Sequence, residues 1–166
     1  MKRLMIIAAL FLMGSTAVKA QGELQIGVGG GLPVGDISDF SSFVLDVDVN
    51  YLFAVSESFS AGPSVSYVHF FSDDIEIAGM TIETDDIQFV PIAGSGRYQI
   101  APKVHLGADL GYAVGINDGN DGGFFYAPSA SVDVKENIML TLSYNGISAS
   151  DGPDANWVAV EAFLTF

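Results

Sequence analysis

The stretch VAVEAFLTF, residues 158–166, decides how the rest of the sequence is interpreted. Alternate side chains of an extended strand point to the same side, so one face of this stretch holds only apolar residues, namely Val158, Val160, Ala162, Leu164 and Phe166. An unpaired strand edge is a liability, and an aromatic residue at the strand end is typical of strands that cross a membrane. We therefore expect 158–166 to be the closing strand of a β-barrel that lies in a membrane.

The first 20 residues have the features of a secretory signal peptide. A basic start precedes the apolar run 4–13, and small residues follow up to Ala20, where a signal peptidase would cut. The run is too short for a stable transmembrane helix, so an amino-terminal anchor helix is the weaker alternative. We expect residues 1–20 to be removed and residues 21–166 to form one domain, a barrel.

Composition supports a barrel and excludes several classes of protein. Hydrophobic residues make up 49% of the chain, yet beyond residue 20 no run of about 18 apolar residues offers a membrane helix. Residues 21–166 hold all 20 acidic residues and only three basic ones, Arg97, Lys103 and Lys135, a formal charge of about −17. That sign argues against a nucleic-acid partner, which needs a basic surface. The chain has no cysteine, hence no disulfide framework.

Alternation predicts the strands, and it is clearest in 43–53. Asp46, Asp48 and Asn50 lie on one face of that segment, opposite a row of apolar side chains; a helix would scatter these polar residues around its circumference. Similar patterns recur along the chain, although the pattern does not settle the facing of 87–98. We predict eight strands, at 24–32, 43–53, 58–72, 87–98, 104–114, 124–134, 138–144 and 158–166.

The fold class that follows is all-β, an eight-stranded antiparallel up-and-down transmembrane β-barrel. The interior of eight strands is too narrow for the many large apolar residues, whereas the faces rich in Gly, Ser and Asp fit inside. Connections alternate between short and long, and the long ones hold 12 of the 20 acids. Outer-membrane barrels have short periplasmic turns and longer outer loops, so we expect both termini in the periplasm. Two aromatic belts are predicted, at Phe43, Phe71, Tyr112, Phe124 and Tyr144 and at Tyr51, Phe59 and Phe166.

These features carry a resemblance to a known family. The glycine-rich first strand running into Leu32-Pro33-Val34-Gly35-Asp36, the segment 61–67 (AGPSVSY), the segment 91–98 and the final Phe166 resemble the outer membrane protein beta-barrel domain family, porin-like proteins with the architecture of small OmpA/OmpX-type barrels. The resemblance implies a Gram-negative outer membrane, contact with its lipid and lipopolysaccharide, and insertion by the barrel-assembly machinery. It also implies a monomer, and an assembly signal in the last strand formed by Val160, Ala162, Leu164 and Phe166.

The charged residues expected to face the lumen form the candidate site: Asp46, Asp48, Arg97, Asp109, Asp133 and Glu161. One interpretation is a lumen that attracts cations, or a narrow cation pore. The other is a hydrogen-bonded polar plug, because an unpaired buried charge is costly and small barrels have packed interiors.

Two other motifs bear on possible chemistry. The loop 117–123 resembles a calcium loop in composition, but the ligand spacing of an EF-hand fails at Gly119 and Pro128, so no metal site is predicted. His69 and His105 could serve a lipid-modifying enzyme, yet neither Ser66 nor Ser72 shares the strand face of His69, and His105 lies near the periplasmic end of its strand. We predict no catalytic residues and no cofactor.

The sequence thus predicts a non-enzymatic integral outer-membrane protein that displays acidic extracellular loops for envelope integrity, adhesion or another surface interaction. A narrow cation-preferring porin is the alternative. A lipid-modifying outer-membrane enzyme is the weakest of the three.

Overall fold

The computed structural model describes residues 22–72, 75–77, 80–82, 85–117, 120–149 and 154–166 of the 166-residue chain. The predicted signal peptide, 1–20, lies outside the described residues. So do 118–119 of the loop 117–123. Within the described part of the chain, no helix is long and apolar enough to cross a membrane.

Eight strands close into one antiparallel barrel in the order β1-β10-β9-β8-β7-β6-β3-β2. A separate two-stranded hairpin, β4–β5, lies in the connection between β3 and β6. This confirms the predicted all-β, eight-stranded up-and-down barrel. The strands are β1 (Glu23–Val34), β2 (Ser41–Ala54), β3 (Phe59–Ser72), β4 (Ile75–Ile77), β5 (Met80–Ile82), β6 (Ile87–Ala101), β7 (Val104–Gly115), β8 (Gly123–Lys135), β9 (Ile138–Ala149) and β10 (Ala155–Thr165).

The first and last strands seal the barrel. Their register runs from Gln25 opposite Thr165 to Val34 opposite Asn156. Beyond it, the Phe166 N–H donates to the carbonyl oxygen of Leu24 at 2.9 Å. Backbone groups left unpaired in lipid would cost several kcal/mol each, so this closure is what makes a membrane-spanning sheet stable.

The two ends of the barrel differ in the length of their connections. We call one the short-turn end, where the turns 55–58, 102–103 and 136–137 join strands. The other is the long-loop end, where 35–40, 73–86, 116–122 and 150–154 join strands. Within 35–40, a 3-10 helix at Gly35–Asp39 directs the buried Ile37 toward the barrel. The connection between the predicted strands 138–144 and 158–166 is shorter than expected, because β9 reaches Ala149 and β10 begins at Ala155.

The outside of the barrel is apolar. Outward positions of β2 and β10 expose Val47, Val49, Val158, Val160 and Leu164, while the side chains between them point inward and are buried. The aromatic residues expected at the interfaces are exposed in two groups. Phe43, Phe71, Tyr112, Phe124 and Tyr144 lie toward the long-loop end, and Tyr51, Phe59 and Phe166 lie toward the short-turn end. Such belts are the usual anchors of a barrel at two membrane–water interfaces.

Strand β6 has apolar side chains on both of its faces, and the structure shows which of them point into the barrel. Phe89, Pro91 and Ala93 point into the barrel, whereas Ile92 and Tyr98 are exposed outside. Arg97 follows the inward row and is buried.

Candidate functional site

The long-loop half of the lumen is filled by apolar side chains. Phe70 packs edge-on against Trp157, with ring centroids 5.2 Å apart, and Phe125 stacks on the same indole at 6.4 Å. Phe89 adds a further edge-on contact to Phe70 at 6.1 Å. We call this cluster the aromatic plug; its members are Phe70, Phe89, Phe125 and Trp157 with Ile37, Val44, Val68 and Ile147.

The plug depends on small residues beside it. A Cβ atom added to Gly31 would lie 2.9 Å from the Trp157 ring and 2.8 Å from the carbonyl oxygen of Val158. Gly31 on β1 therefore leaves the room that the indole of β10 occupies. Only 1% of Trp157 is exposed, so this single tryptophan is the centre of a closed apolar layer.

The aromatic plug was not predicted from the sequence. Phe70 precedes the outward-facing Phe71, and Phe125 follows the outward-facing Phe124. Aromatic residues therefore occupy both faces of these strands, and alternation does not distinguish the inward face from the outward one. The signal that was available is the tryptophan itself, whose N–H needs an acceptor when it is buried. That acceptor is Asp46, because Trp157 Nε1 donates to Asp46 Oδ2 at 3.2 Å.

Below the plug, the middle of the barrel holds five of the six charged candidates. Asp46, Asp48, Asp109, Glu161 and Arg97 are all buried there. Arg97 donates to Asp109 Oδ1 at 2.5 Å, and Ser95 Oγ donates to the same oxygen at 2.8 Å. This ion pair is the one contact between an arginine or lysine and a carboxylate among the described residues.

The other central carboxyl groups contact neutral donors. The Ser66 hydroxyl donates to Asp48, and Ser143 Oγ lies 3.4 Å from Glu161 Oε2. Asn145 Nδ2 in turn donates to Ser143 Oγ at 2.8 Å. The middle of the barrel is therefore a hydrogen-bonded polar layer, with acids that are supported by hydroxyl groups and an indole.

A cavity of about 20 Å³ lies inside this polar layer. Three atoms of its lining residues have no protein partner: Asp48 Oδ2, Arg97 Nε and Ser129 Oγ. Such a space accommodates about one water molecule, whose donors and acceptors match these atoms. The described side chains of the polar layer are therefore closely packed around this cavity.

The short-turn end of the lumen is open. A cavity of about 270 Å³ enters there and ends against Gln25 and Arg97. Asp133, the sixth charged candidate, lies at this mouth and not with the others. Its Oδ2 contacts His105 Nε2 at 2.9 Å.

His69 lies on the outer face near the long-loop end. Its Nδ1 contacts the Tyr67 hydroxyl at 3.0 Å, and its Nε2 contacts Asp86 Oδ2 at 2.9 Å. The second Asp86 oxygen accepts the backbone N–H of Ser72 at 2.9 Å. That N–H and then the imidazole hold the pKa of Asp86 below its ordinary value. These contacts tie the end of β3 to the start of β6, across the base of the β4–β5 hairpin.

The residues expected to form the assembly signal lie along the outward face of β10. Val160, Leu164 and Phe166 are exposed there, and Ala162 belongs to the same row. Their role in assembly stays a prediction. No group of three or more His, Cys, Asp or Glu side chains suited to a metal ion occurs in the described part of the chain.

A closed sheet with an apolar exterior, two aromatic belts and a filled lumen defines an integral membrane β-barrel protein. The family described as "Outer membrane protein beta-barrel domain" matches residues 6–166. The chain belongs to this family, as the sequence predicted, and is an outer-membrane protein of Gram-negative bacteria.

Solved structures with the same fold include Ail of Yersinia pestis in a phospholipid nanodisc, with 16% identity and a TM-score of 0.60 over 88% of this chain and 100% of that one. Ail in complex with the heparin analogue sucrose octasulfate matches with 13% identity and a TM-score of 0.55, over 87% and 99%. Neisserial surface protein A matches with 15% identity and a TM-score of 0.52, over 90% and 100%. No curated protein sequence matches this chain.

Proposed function

We propose that this protein is a non-conducting, non-enzymatic barrel that displays acidic loops on the cell surface for envelope integrity, adhesion or another surface interaction. The observation that carries the proposal is the position of the aromatic plug, which fills the lumen directly beneath the long loops. With the lumen filled, the parts of the molecule that remain free to act toward the outside are the loops.

The long loops carry a single sign of charge. They contain no Lys or Arg and hold 12 acids, namely Asp36, Asp39, Asp73, Asp74, Glu76, Glu83, Asp85, Asp86, Asp118, Asp121, Asp151 and Asp154. Such a surface attracts cationic partners and repels polyanions. Ail has been solved with a polyanionic heparin analogue; the loops of this chain favour the opposite class of partner, cationic surfaces or lipopolysaccharide bridged by divalent cations.

The proposal includes an orientation and a processing step. We place the long-loop end outside the cell and both termini in the periplasm, since longer loops of outer-membrane barrels face outward. Residues 1–20 would be the signal peptide and 21–166 the barrel. The barrel-assembly machinery would read Val160, Ala162, Leu164 and Phe166 during insertion, and the inserted protein would be a monomer.

The narrow cation porin is less well supported. Asp46, Asp48 and Glu161 would favour cations in an open lumen, but the polar layer leaves room for about one water and the aromatic plug lies above it. A lipid-modifying enzyme is less well supported again. His105 contacts Asp133 on the neighbouring strand at the short-turn mouth, and His69 contacts Tyr67 of its own strand and Asp86 just before β6, so both histidines are held by carboxylates and a tyrosine.

Two measurements test the main features. Purified protein in a planar bilayer should show no ion conductance; steady cation-selective steps would contradict the non-conducting proposal. For orientation, Asp39→Cys and Glu57→Cys each introduce the single cysteine of the chain, at the long-loop and short-turn ends. A membrane-impermeant maleimide should label intact cells only at position 39, and labelling only at position 57 would reverse the orientation.

The role of the loops is tested by attachment of intact cells to a polylysine-coated surface. Replacing Asp36, Asp39, Asp121 and Asp154 with Asn should reduce attachment. The matched control replaces Glu57 and Glu136 with Gln, at the short-turn end, and should leave attachment unchanged. Equal attachment by the loop variant and the unaltered protein would refute the role of loop charge.

A further inference from the structure

The open cavity at the short-turn end of the lumen has the size of a small-molecule site. We call it the mouth cavity; all eight barrel strands, or the turns that join them, contribute lining residues. Its volume of about 270 Å³ is close to the lower limit of ordinary ligand pockets, about 300 Å³. Leu52 and Met139 are buried in its wall, and Gln25 and Arg97 close its inner end. The mouth cavity is therefore a cup that suits a small ligand entering from the short-turn end.

On the β8 side of the rim the formal charges balance. Asp133 and Glu136 line the mouth cavity, and they also line an outer groove together with Lys103 and Lys135. Asp133 contacts His105 as well, at 2.9 Å. With two acids and two lysines, this side of the rim has no formal net charge and gives a charged ligand no electrostatic preference.

On the β1–β3 side the rim is acidic. Glu23 on β1 and Glu57 in the turn between β2 and β3 line the mouth cavity, and these three strands are consecutive neighbours in the barrel. Neither glutamate forms a salt bridge with a described residue. The guanidinium group of Arg97 at the inner end is paired with Asp109. The mouth cavity therefore favours a positively charged ligand, and it favours that ligand on the β1–β3 side.

The wall between Glu23 and the middle of the barrel has two buried amide oxygens without a donor. Gln25 follows Glu23 on the inward face of β1 and is 7% exposed, and Asn50 is its partner on β2 and is 1% exposed. Gln25 Oε1 and Asn50 Oδ1 have no hydrogen-bond partner among the described residues. A buried acceptor that stays unpaired is costly. An ammonium group brings three donors and no acceptor, which matches such atoms.

We propose that the mouth cavity binds a short linear aliphatic diamine. One ammonium group donates to Gln25 Oε1 at the inner end, and the other lies at the rim with Glu23 and Glu57. Two residues of an extended strand cover about 7 Å, and a chain of four or five methylene groups covers a similar length. That chain lies against Leu52 and Met139, the apolar part of the wall. The site is separate from the loops of the proposed function, which lie at the other end of the barrel.

The test is an NMR titration of the refolded barrel, in a nonionic detergent, with 1,5-diaminopentane. We expect saturable shifts of the backbone amides of Glu23, Gln25 and Glu57. Pentylamine, which has the same chain and one ammonium group, should bind about tenfold more weakly because it loses one charged contact. Sodium chloride at the same ionic strength should give no saturable shift. Equal affinity for both amines, saturation by sodium chloride, or shifts confined to the long loops would each overturn the diamine site.

Variants test the two ends of the site separately. Glu23→Gln should weaken diamine binding about fivefold, whereas the matched control Glu136→Gln makes the same charge change on the balanced side of the rim and should have a smaller effect. Gln25→Glu keeps the size of the side chain and adds a charge beside the inner ammonium group, so it should strengthen binding about fivefold. A purely structural role of Gln25 predicts no such gain. Equal weakening by Glu23→Gln and Glu136→Gln, or no weakening by either, would overturn the proposal even if Gln25→Glu failed to fold.

Discussion

Replacing Trp157 with Ala should be among the most destabilising changes in the barrel. The indole is buried between Phe70 and Phe125, and truncation of such a side chain costs about 3–5 kcal/mol in lost contacts and cavity formation. The change also removes the donor to Asp46 Oδ2 at 3.2 Å, which adds about 1–3 kcal/mol for a buried acceptor left without its partner. The expected total is about 4–8 kcal/mol, comparable with the whole stability of many domains.

Trp157→Phe separates the two contributions. It keeps one aromatic ring in the plug but removes the N–H together with the five-membered ring of the indole, so we expect about 1–3 kcal/mol for the unpaired acceptor and a smaller cavity cost than in Trp157→Ala. A suitable control is Phe124→Ala, an aromatic residue at the same end of the barrel that is 52% exposed on the outside. Lipid fills the space left at Phe124, so no cavity forms there. Phe124→Ala should therefore lower the stability less than Trp157→Ala does.

The assay is urea-induced unfolding from lipid vesicles, followed by the heat-modifiable shift on a gel. Fluorescence is unsuitable, because Trp157 is the single tryptophan of the chain. If Trp157→Ala costs no more than Phe124→Ala, the interior of the long-loop half is not a packed plug. If Trp157→Phe costs as much as Trp157→Ala, the hydrogen bond to Asp46 matters and the packing does not.

Three further changes test the facing of β2, the closing strand and the base of the β4–β5 hairpin. Val47→Arg places a charge on the outer face near the middle of β2 and should lower the free energy of unfolding by about 2–4 kcal/mol. Asp48→Asn changes a buried position and should lower it less. Equal losses of stability in urea unfolding would show that the facing of β2 is wrong. Phe166→Asp should lower the heat-modifiable fraction in membranes more than Asp154→Ala in a long loop, because a charge at that rim draws the strand end toward water. The lowered pKa of Asp86 means that its carboxylate stabilises the folded hairpin base above about pH 4 and loses that effect as the pH falls through the folded pKa. Amide exchange of the N–H it accepts should therefore accelerate in acid, and Asp86→Asn should abolish that pH dependence.

The alternation of apolar and polar residues was enough to predict the barrel, because the lipid and the lumen differ most in polarity at the middle of the barrel. Asp46, Asp48 and Asn50 on β2 are buried, and the apolar residues between them are exposed, as the pattern indicated. A one-residue shift in register would place all three polar groups in lipid, so the sequence specifies the facing strongly.

The long-loop half of the barrel could not be predicted in the same way. There the lumen is as apolar as the lipid, so inward Phe89 and outward Ile92 on β6 look alike to any pattern of period two. The extensions of β9 and β10 were missed for another reason. Ser148 and Asn156 are polar residues that suggest a loop, yet strands that continue past the apolar band pair equally well in water.

The candidate site was partly accessible from sequence. The inward position of Asp109 follows from alternation, whereas the pattern left open the facing of the segment 87–98 that holds Arg97. Their contact requires the pairing of β6 with β7, which places Ser95 opposite Asp109. The separation of Asp133 from the other acids has a simple geometric origin. It lies two residues from the end of β8, so its height along the barrel, and not its facing, sets it apart.

The depth of the aromatic plug has a consequence for how this protein can change over generations. The described side chains of the plug come from the strands and from the short 3-10 helix at Gly35–Asp39, and none of them belongs to the connections at 73–86, 116–122 and 150–154. We therefore expect insertions, deletions and charge changes in those connections to leave the filling of the lumen unchanged. The barrel would then be a scaffold on which loop sequences can diversify while the lumen stays filled.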